Sequence, residues 1–192
     1  MKYLLLTVMT ALPVAASATP VFLPTRDVAV TYTLTAPGRA AETYQLSYDA
    51  ADQLARIDAP TAGYYILGNL PAGQAELVLP GLHSVVQAPD FSSLTAEIYN
   101  ADGARFTPLG SAHYAGLECE KYLVLDKKGS GTACITSDGV VLHFSGHDNQ
   151  GSAEATAVTV SYAPQPADAF AQPDGFNQLN LPPGAVAALL NQ

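Results

Sequence analysis

The stretch Cys119–Phe144, CEKYLVLDKKGSGTACITSDGVVLHF, constrains the fold more than any other part of the chain, because it holds both cysteines, two turns and three strand-forming runs. Cys119–Leu125 is rich in β-branched and aromatic residues, and the glycine-bearing break from Lys127 to Gly131 separates it from Thr132–Ser137. Asp138-Gly139 suits the positive φ angles of a type I′ turn, and Val140–Phe144 follows at once. A two-residue turn there pairs Ser137 with Val140, Ile135 with Leu142 and Cys134 with His143. Three consecutive antiparallel strands result.

Two cysteines in an exported chain are expected to bond to each other. If Lys127–Ser130 forms the loop, however, Asp126 faces Gly131 and Cys134 faces Leu123, which leaves Cys119 about 13 Å away along its strand. A disulfide needs Cα atoms within about 7 Å, so the bond requires a bulge, or a Cys119 that lies on a bend before the strand proper. Two buried free thiols are the alternative.

Export itself is read from residues 1–18. Met1-Lys2-Tyr3, the apolar run LLLTVMTALPVA and Ala16-Ser17-Ala18 have the three parts of a secretory signal, with cleavage expected after Ala18. The apolar run is short for a membrane span and is broken by Pro13. No cysteine follows the cleavage point to carry a lipid anchor, so a soluble periplasmic protein is expected. Residues 19–176 read as one β-rich domain, and 177–192 as a C-terminal tail with a short helix starting at Pro183. The formal charge of −9 argues against nucleic acid and anionic lipid surfaces as partners, which clustered Lys and Arg would meet.

Alternation marks the remaining strands. Val28, Val30, Tyr32 and Leu34 share one parity, as do Tyr44, Leu46 and Tyr48. Leu54–Asp58, Tyr64–Leu70, Glu76–Leu79, His83–Gln87, Arg105–Tyr114 and Thr156–Tyr162 follow between glycine, proline and aspartate turns. Between Asp90 and Asn100 the period changes: Phe91, Leu94 and Ile98 fall at helical spacing, which predicts one short amphipathic helix able to cover a sheet face. Ala167–Phe170 reads as a helical turn.

No sequence pattern forces a reaction class. There is no G-x-S-x-G, no phosphate-binding glycine loop and no H-E-x-x-H, so the chain is not read as an enzyme and no cofactor is expected. His143 and His147 are about 13 Å apart on an extended strand, too far to share a metal. Glu118/Glu120 and Asp49/Asp52 are carboxylate pairs without the apolar burial that raises a pKa. The strand tyrosines Tyr32, Tyr44, Tyr48, Tyr64, Tyr65, Tyr122 and Tyr162 fit either an ordinary core with hydroxyls at its rim or the lining of an apolar cleft.

The strand opening at Asp27-Val28-Ala29-Val30-Thr31-Tyr32, the meander, the mid-chain helix, the return through Ala115-Gly116-Leu117-Glu118-Cys119-Glu120-Lys121-Tyr122 and the closing Phe170-Ala171-Gln172-Pro173-Asp174-Gly175-Phe176 together resemble a bacterial envelope family of unknown function. That family is similar to the LolA/LolB lipoprotein-localisation factors. The resemblance implies a mainly β (α+β) protein: a strongly curved antiparallel sheet or half-open β-barrel with one or two short covering helices. It also implies non-enzymatic binding of an acyl chain, another apolar ligand or a lipoprotein, with a filled core and a structural or interaction role as the alternative. By parity the ligand surface is expected at Val30, Tyr32, Leu46, Tyr48, Ile66, Val78 and Val160, covered by Phe91, Leu94 and Ile98. A one-residue register slip moves a strand's set to the other face.

Overall fold

The computed structural model describes residues 20–21, 23–87, 104–127, 129–148, 151–182 and 185. Twelve strands form one sheet: β1 Val28–Thr35, β2 Glu42–Asp49, β3 Leu54–Ala59, β4 Tyr64–Asn69, β5 Gln74–Leu79, β6 Ser84–Gln87, β7 Arg105–Tyr114, β8 Leu117–Leu125, β9 Gly129–Ile135, β10 Val141–Asp148, β11 Ser152–Ser161 and β12 Asn177–Asn180. Their order is β12-β6-β5-β4-β3-β2-β1-β11-β10-β9-β8-β7. Two up-and-down meanders, β1–β6 and β7–β11, are thus joined edge to edge through the antiparallel pair β1–β11. The sheet does not close, since β12 and β7 end it.

The sheet is curled. Tyr114 of β7 stacks on His143 of β10 with ring centroids 4.7 Å apart, although three strand spacings of about 4.8 Å separate these strands in a flat sheet. Ala112 and Leu117 of the β7–β8 end pack against one core that holds Val28, Val30, Tyr48, Leu142 and the disulfide. Tyr32 spans β11 and donates its hydroxyl to the Val141 carbonyl at 2.7 Å. Burial pushes that phenol's pKa well above its usual value.

The expected strands are present, with three departures. First, Asp138-Gly139 is not the centre of a two-residue turn. Gly139 N–H donates to Thr136 O and Thr136 N–H to Val140 O, so Ser137 and Asp138 occupy the corner and Gly139, at φ 90°, takes the left-handed position beyond it. This three-residue loop shifts the ladder by one: Ile135 pairs with Val141, while Cys134 pairs with His143 as expected, and Leu142 is left in the bulge.

Second, β8 and β9 are joined more tightly than a Lys127–Ser130 loop allows. Asp126 N–H donates to Gly129 O, Leu125 pairs with Ser130, and Cys134 therefore pairs with Lys121 rather than Leu123. That two-residue slip makes Cys119 a same-face diagonal neighbour of Cys134. The Cα atoms are 5.3 Å apart and the sulfurs are bonded, without a bulge in this hairpin.

Third, β12 is an unexpected strand, pairing in parallel with β6. The sequence NQLN has little β propensity, and its backbone is recruited by the edge of β6, starting with Asn177 N–H on His83 O at 2.8 Å. Of the helical expectations, Ala167–Phe170 forms a 3-10 turn. The helix expected over Asp90–Asn100 lies outside the described residues, as does the one expected from Pro183 apart from Ala185, whose N–H donates to Pro182 O at 3.2 Å.

The β9–β10 loop is tied to the start of the described chain. Asp138 accepts hydrogen bonds from Thr136, from Arg26 Nε at 2.8 Å and from the Tyr162 hydroxyl at 3.2 Å, while the Arg26 guanidinium lies 3.6 Å from the Tyr162 ring centre. Burial pushes the Asp138 pKa up, but the three hydrogen bonds and the Arg26 charge outweigh it, and the carboxyl titrates below its ordinary value. A carboxyl with a lowered folded pKa contributes stability above its unfolded pKa of about 3.9, lost as pH falls through the folded value. Asp138→Asn should therefore flatten the acid limb of the stability curve below about pH 4, measured as urea midpoint against pH. An unchanged acid limb would show that other carboxyls carry it.

Candidate functional site: an aliphatic row across eight strands

Residues paired across strands share a face, so the ladder registers show what each face presents. One line of pairs runs Val160–Val30–Leu46–Ile57–Ile66–Leu77–Val86–Leu179, from β11 through β1–β6 to β12. Eight aliphatic side chains thus stand in one row over seven strand spacings, about 33 Å. β-Branched and leucine side chains in direct cross-strand register pack against each other, and this packing holds the row straight across the sheet.

Each flank of the row is different. On one side the pairs Val28–Tyr48, Tyr48–Ala55, Ala55–Gly68 and Gly68–Ala75 form a line that steps down to small residues. A Cβ on Gly68 would meet only Ala55, at ordinary contact distance, so the step is shallow open space. On the other side stand the pairs Tyr32–Tyr44 and Ala59–Tyr64. Tyr44 donates its hydroxyl to Glu42 Oε2 at 2.6 Å, and burial, helped by that carboxylate, raises its pKa well above the usual phenol range. The phenols are neutral donors at physiological pH, apolar in body and polar at the tip.

Along the row, Val30, Leu77 and Val86 are buried, Leu46, Ile57, Ile66 and Val160 half-buried, and Leu179 is 41% exposed. The two flanking residues Tyr48 and Tyr32 are buried and half-buried respectively.

Six of the residues expected on the ligand surface, Val30, Tyr32, Leu46, Tyr48, Ile66 and Val160, fall on this one face. Val78 does not. It pairs with Tyr65 and Val85 on the opposite face, in a cluster with Leu67 that Phe176 packs against. The C-terminal segment covers that face: Arg56 lies over the Tyr65 ring at 3.9 Å, pairs with Asp58, and donates to the Ala169 carbonyl at 3.0 Å. In β5, Leu77 and Val78 offer an apolar residue of either parity, and Leu77 faces Ile66. Phe91, Leu94 and Ile98 lie outside the described residues. Ile57, Leu77, Val86 and Leu179 are members of the row that parity reasoning passed over.

The other candidates take ordinary structural positions. His143 stacks on Tyr114 and lies 3.0 Å from Thr156 Oγ1, and the Tyr122 hydroxyl donates to Glu120 at 2.7 Å. Burial and Glu120 push the Tyr122 phenol up to about 12. Among the described residues no group of three His, Cys, Asp or Glu side chains is placed to hold a metal.

No protein-family model matches the chain, and no curated protein does. Solved structures do. An uncharacterised conserved protein of Thermus thermophilus is similar at TM-score 0.60 and 11% identity, over 82% of this chain and 91% of that one. The Pseudomonas aeruginosa MucA/MucB complex follows at TM-score 0.52 and 10% identity, over 77% of this chain and 56% of that chain, so this chain spans little more than half of the protein it matches there. A LolA superfamily protein of Nitrosomonas europaea covers 79% of this chain at 10% identity, with a TM-score of 0.39 that carries no weight by itself. Identities this low speak to architecture alone, and on that level the chain shares an open, curled, mainly antiparallel sheet with the Thermus and Pseudomonas proteins.

Proposed function

We propose that this is a non-enzymatic binding protein of the bacterial envelope that holds an acyl chain or another apolar ligand, free or as part of a lipoprotein, against the aliphatic row. The observation that supports it is the row itself: eight same-face aliphatic residues over about 33 Å, against roughly 15 Å for the apolar half-thickness of a bilayer. Binding is burial of apolar area, about 25 cal/mol per Å², with no covalent step. Val30, Tyr32, Leu46, Tyr48, Ile66 and Val160 are the proposed contacts, with Ile57 and Leu77 added and Val78 removed, and Phe91, Leu94 and Ile98 are proposed as the cover. The secretory signal read in residues 1–18 and the disulfide support a periplasmic location with cleavage after Ala18.

A second reading has one observation in its favour. Val30, Tyr48, Leu77 and Val86 are at most 3% exposed, as in a face filled by the protein's own side chains, and such a protein would act by binding other proteins. The structural neighbour from Pseudomonas aeruginosa is a two-protein complex.

Native mass spectrometry of the protein purified from periplasm, beside an organically extracted sample, separates the two. The carrier reading expects an added mass that extraction removes. Ile66→Gln, which puts an amide in the middle of the row, should lower retention of that mass at least about tenfold while circular dichroism stays unchanged, since one unpaired buried amide costs about 1–3 kcal/mol. A bare mass that stays bare after incubation with fatty acids and phospholipids supports the filled face.

A further inference from the structure

A cavity lies at the end of β8–β11, on the face that carries the row. It is a trench of about 600 Å³, within the usual size of small-molecule sites. Its floor is unusual for a sheet. Gly131 and Gly146 stand directly opposite each other, and neither has a positive φ, so backbone conformation does not require glycine at either position. What requires it is the Phe144 ring at Gly146, and at Gly131 the main chain of Ser145 and Gly146 with the ring beside it. A Cβ on Gly146 would sit 2.7 Å from Phe144 Cζ, and one on Gly131 3.3 Å from Cε2 and 2.6 Å from the Ser145 carbonyl. The ring therefore lies down on the bare backbone of the glycine pair and still keeps 38% of its surface exposed. Val124 and Ala153 complete the apolar floor.

Two charged side chains line the trench: Asp126 of the β8–β9 turn and Arg39 of the β1–β2 turn, with strands β9, β10, β11 and β1 between those turns. Of the chain's four arginines, Arg26 is paired with Asp138 and Arg56 with Asp58, while Arg39 and Arg105 make no ion pair among the described residues, and of these two Arg39 lines the trench. In a chain of net charge −9, an exposed unpaired guanidinium beside an apolar floor is a specific feature. The pairs Leu34–Ala155 and Phe144–Ala155 carry the same face from the trench back to β1, whose Val30 belongs to the row.

We infer that the ligand is a long-chain monocarboxylate, its carboxylate held by Arg39 and its chain lying over Phe144 and the face beyond. The inference rests on the apolar-ligand reading above and adds the head group. A single guanidinium fork matches a single carboxylate in bidentate geometry. A phosphate dianion would bring two negative charges to one cation in a field of its own sign, and an uncharged chain would leave Arg39 without a partner. Asp126 sets the direction, with the anionic head at the Arg39 end.

The test is isothermal titration of the full protein with palmitate and with methyl palmitate, each on the wild type, Arg39→Gln and Phe144→Ala. Expected is palmitate binding that weakens about tenfold or more in Arg39→Gln, consistent with a hydrogen bond to a charged group, with methyl palmitate indifferent to that substitution and both ligands weakened in Phe144→Ala. If both ligands bind the wild type and Arg39→Gln changes neither, or weakens both equally, the carboxylate assignment fails while the apolar-chain reading stands. If neither ligand binds, both fail.

Discussion

Unfolding the protein in reductant should lower its thermal midpoint by about 6–12 °C relative to the oxidised form, the larger of the stability effects that follow from the hairpin at the centre of the chain. The bond closes a loop of 15 residues, worth about 3 kcal/mol through the entropy of the unfolded chain, and in a domain of this size each kcal/mol moves the midpoint about 2–4 °C. Cys134 has no exposed surface and Cys119 only 2%, so the folded protein shields the bond, and reductant has to be present during an unfolding cycle. The Cys119→Ala/Cys134→Ala double variant should show a similar drop, since it removes the link and leaves no unpaired buried polar group. A shift under about 2 °C in both experiments would mean that β8 and β9 remain paired in the denatured state, so that the link constrains little.

The disulfide also illustrates where sequence reasoning holds and where it stops. That Cys119 and Cys134 bond is expected from their number and from the secretory signal read in residues 1–18, but how they meet depends on one turn. A polar run of five residues, Lys127–Gly131, does not state which of them form the corner, and a two-residue change of corner turns a separation of about 13 Å into a diagonal contact. Asp138-Gly139 behaves in the same way: the dipeptide announces a turn, while Thr136, whose hydroxyl and amide both engage Val140, sets its length.

Strand faces were readable where one parity is polar. In β1 and β2 the apolar set Val28, Val30, Tyr32, Leu46, Tyr48 alternates with small or polar residues, Ala29, Thr31, Thr33, Gln45 and Ser47, and each member of the set stands where alternation puts it. In β5 the sequence AELVL offers Leu77 and Val78 equally, because both faces of the β3–β6 end are buried, one by the aliphatic row and one by Phe176. Alternation carries no information when both sides are apolar. The trench escaped notice for a different reason. Gly131 reads locally as a turn glycine, and only the ladder shows that it makes room, with Gly146, for the Phe144 ring.

Gly139→Ala should cost about 3 kcal/mol or more, against about 1–2 kcal/mol for Gly116→Ala, and the difference measures the N-terminal strap. Both glycines sit at positive φ, 90° and 77°, so both substitutions carry the same backbone strain. Around Gly116 an added methyl meets nothing within 4 Å. At Gly139 it would lie 2.2 Å from Leu23 O and 2.7 Å from Leu23 C. Those atoms are main chain and cannot swing aside, so the strap over Leu23–Arg26 has to lift. Lifting it breaks Thr25 N–H on Asp138 O and pulls Arg26 away from Asp138 and the Tyr162 ring, about 1 kcal/mol for each hydrogen bond lost. With Arg26 gone, the Asp138 carboxyl loses one of the partners that hold its pKa down, so the variant should also lose less stability on acidification than the wild type. Urea midpoints of the wild type and the two variants at pH 7 and at about pH 3 check both parts. Equal midpoints for Gly116→Ala and Gly139→Ala at pH 7 would mean that the strap does not rest on the β9–β10 loop in solution, and that Asp138 draws its low pKa from Thr136 and Tyr162 alone.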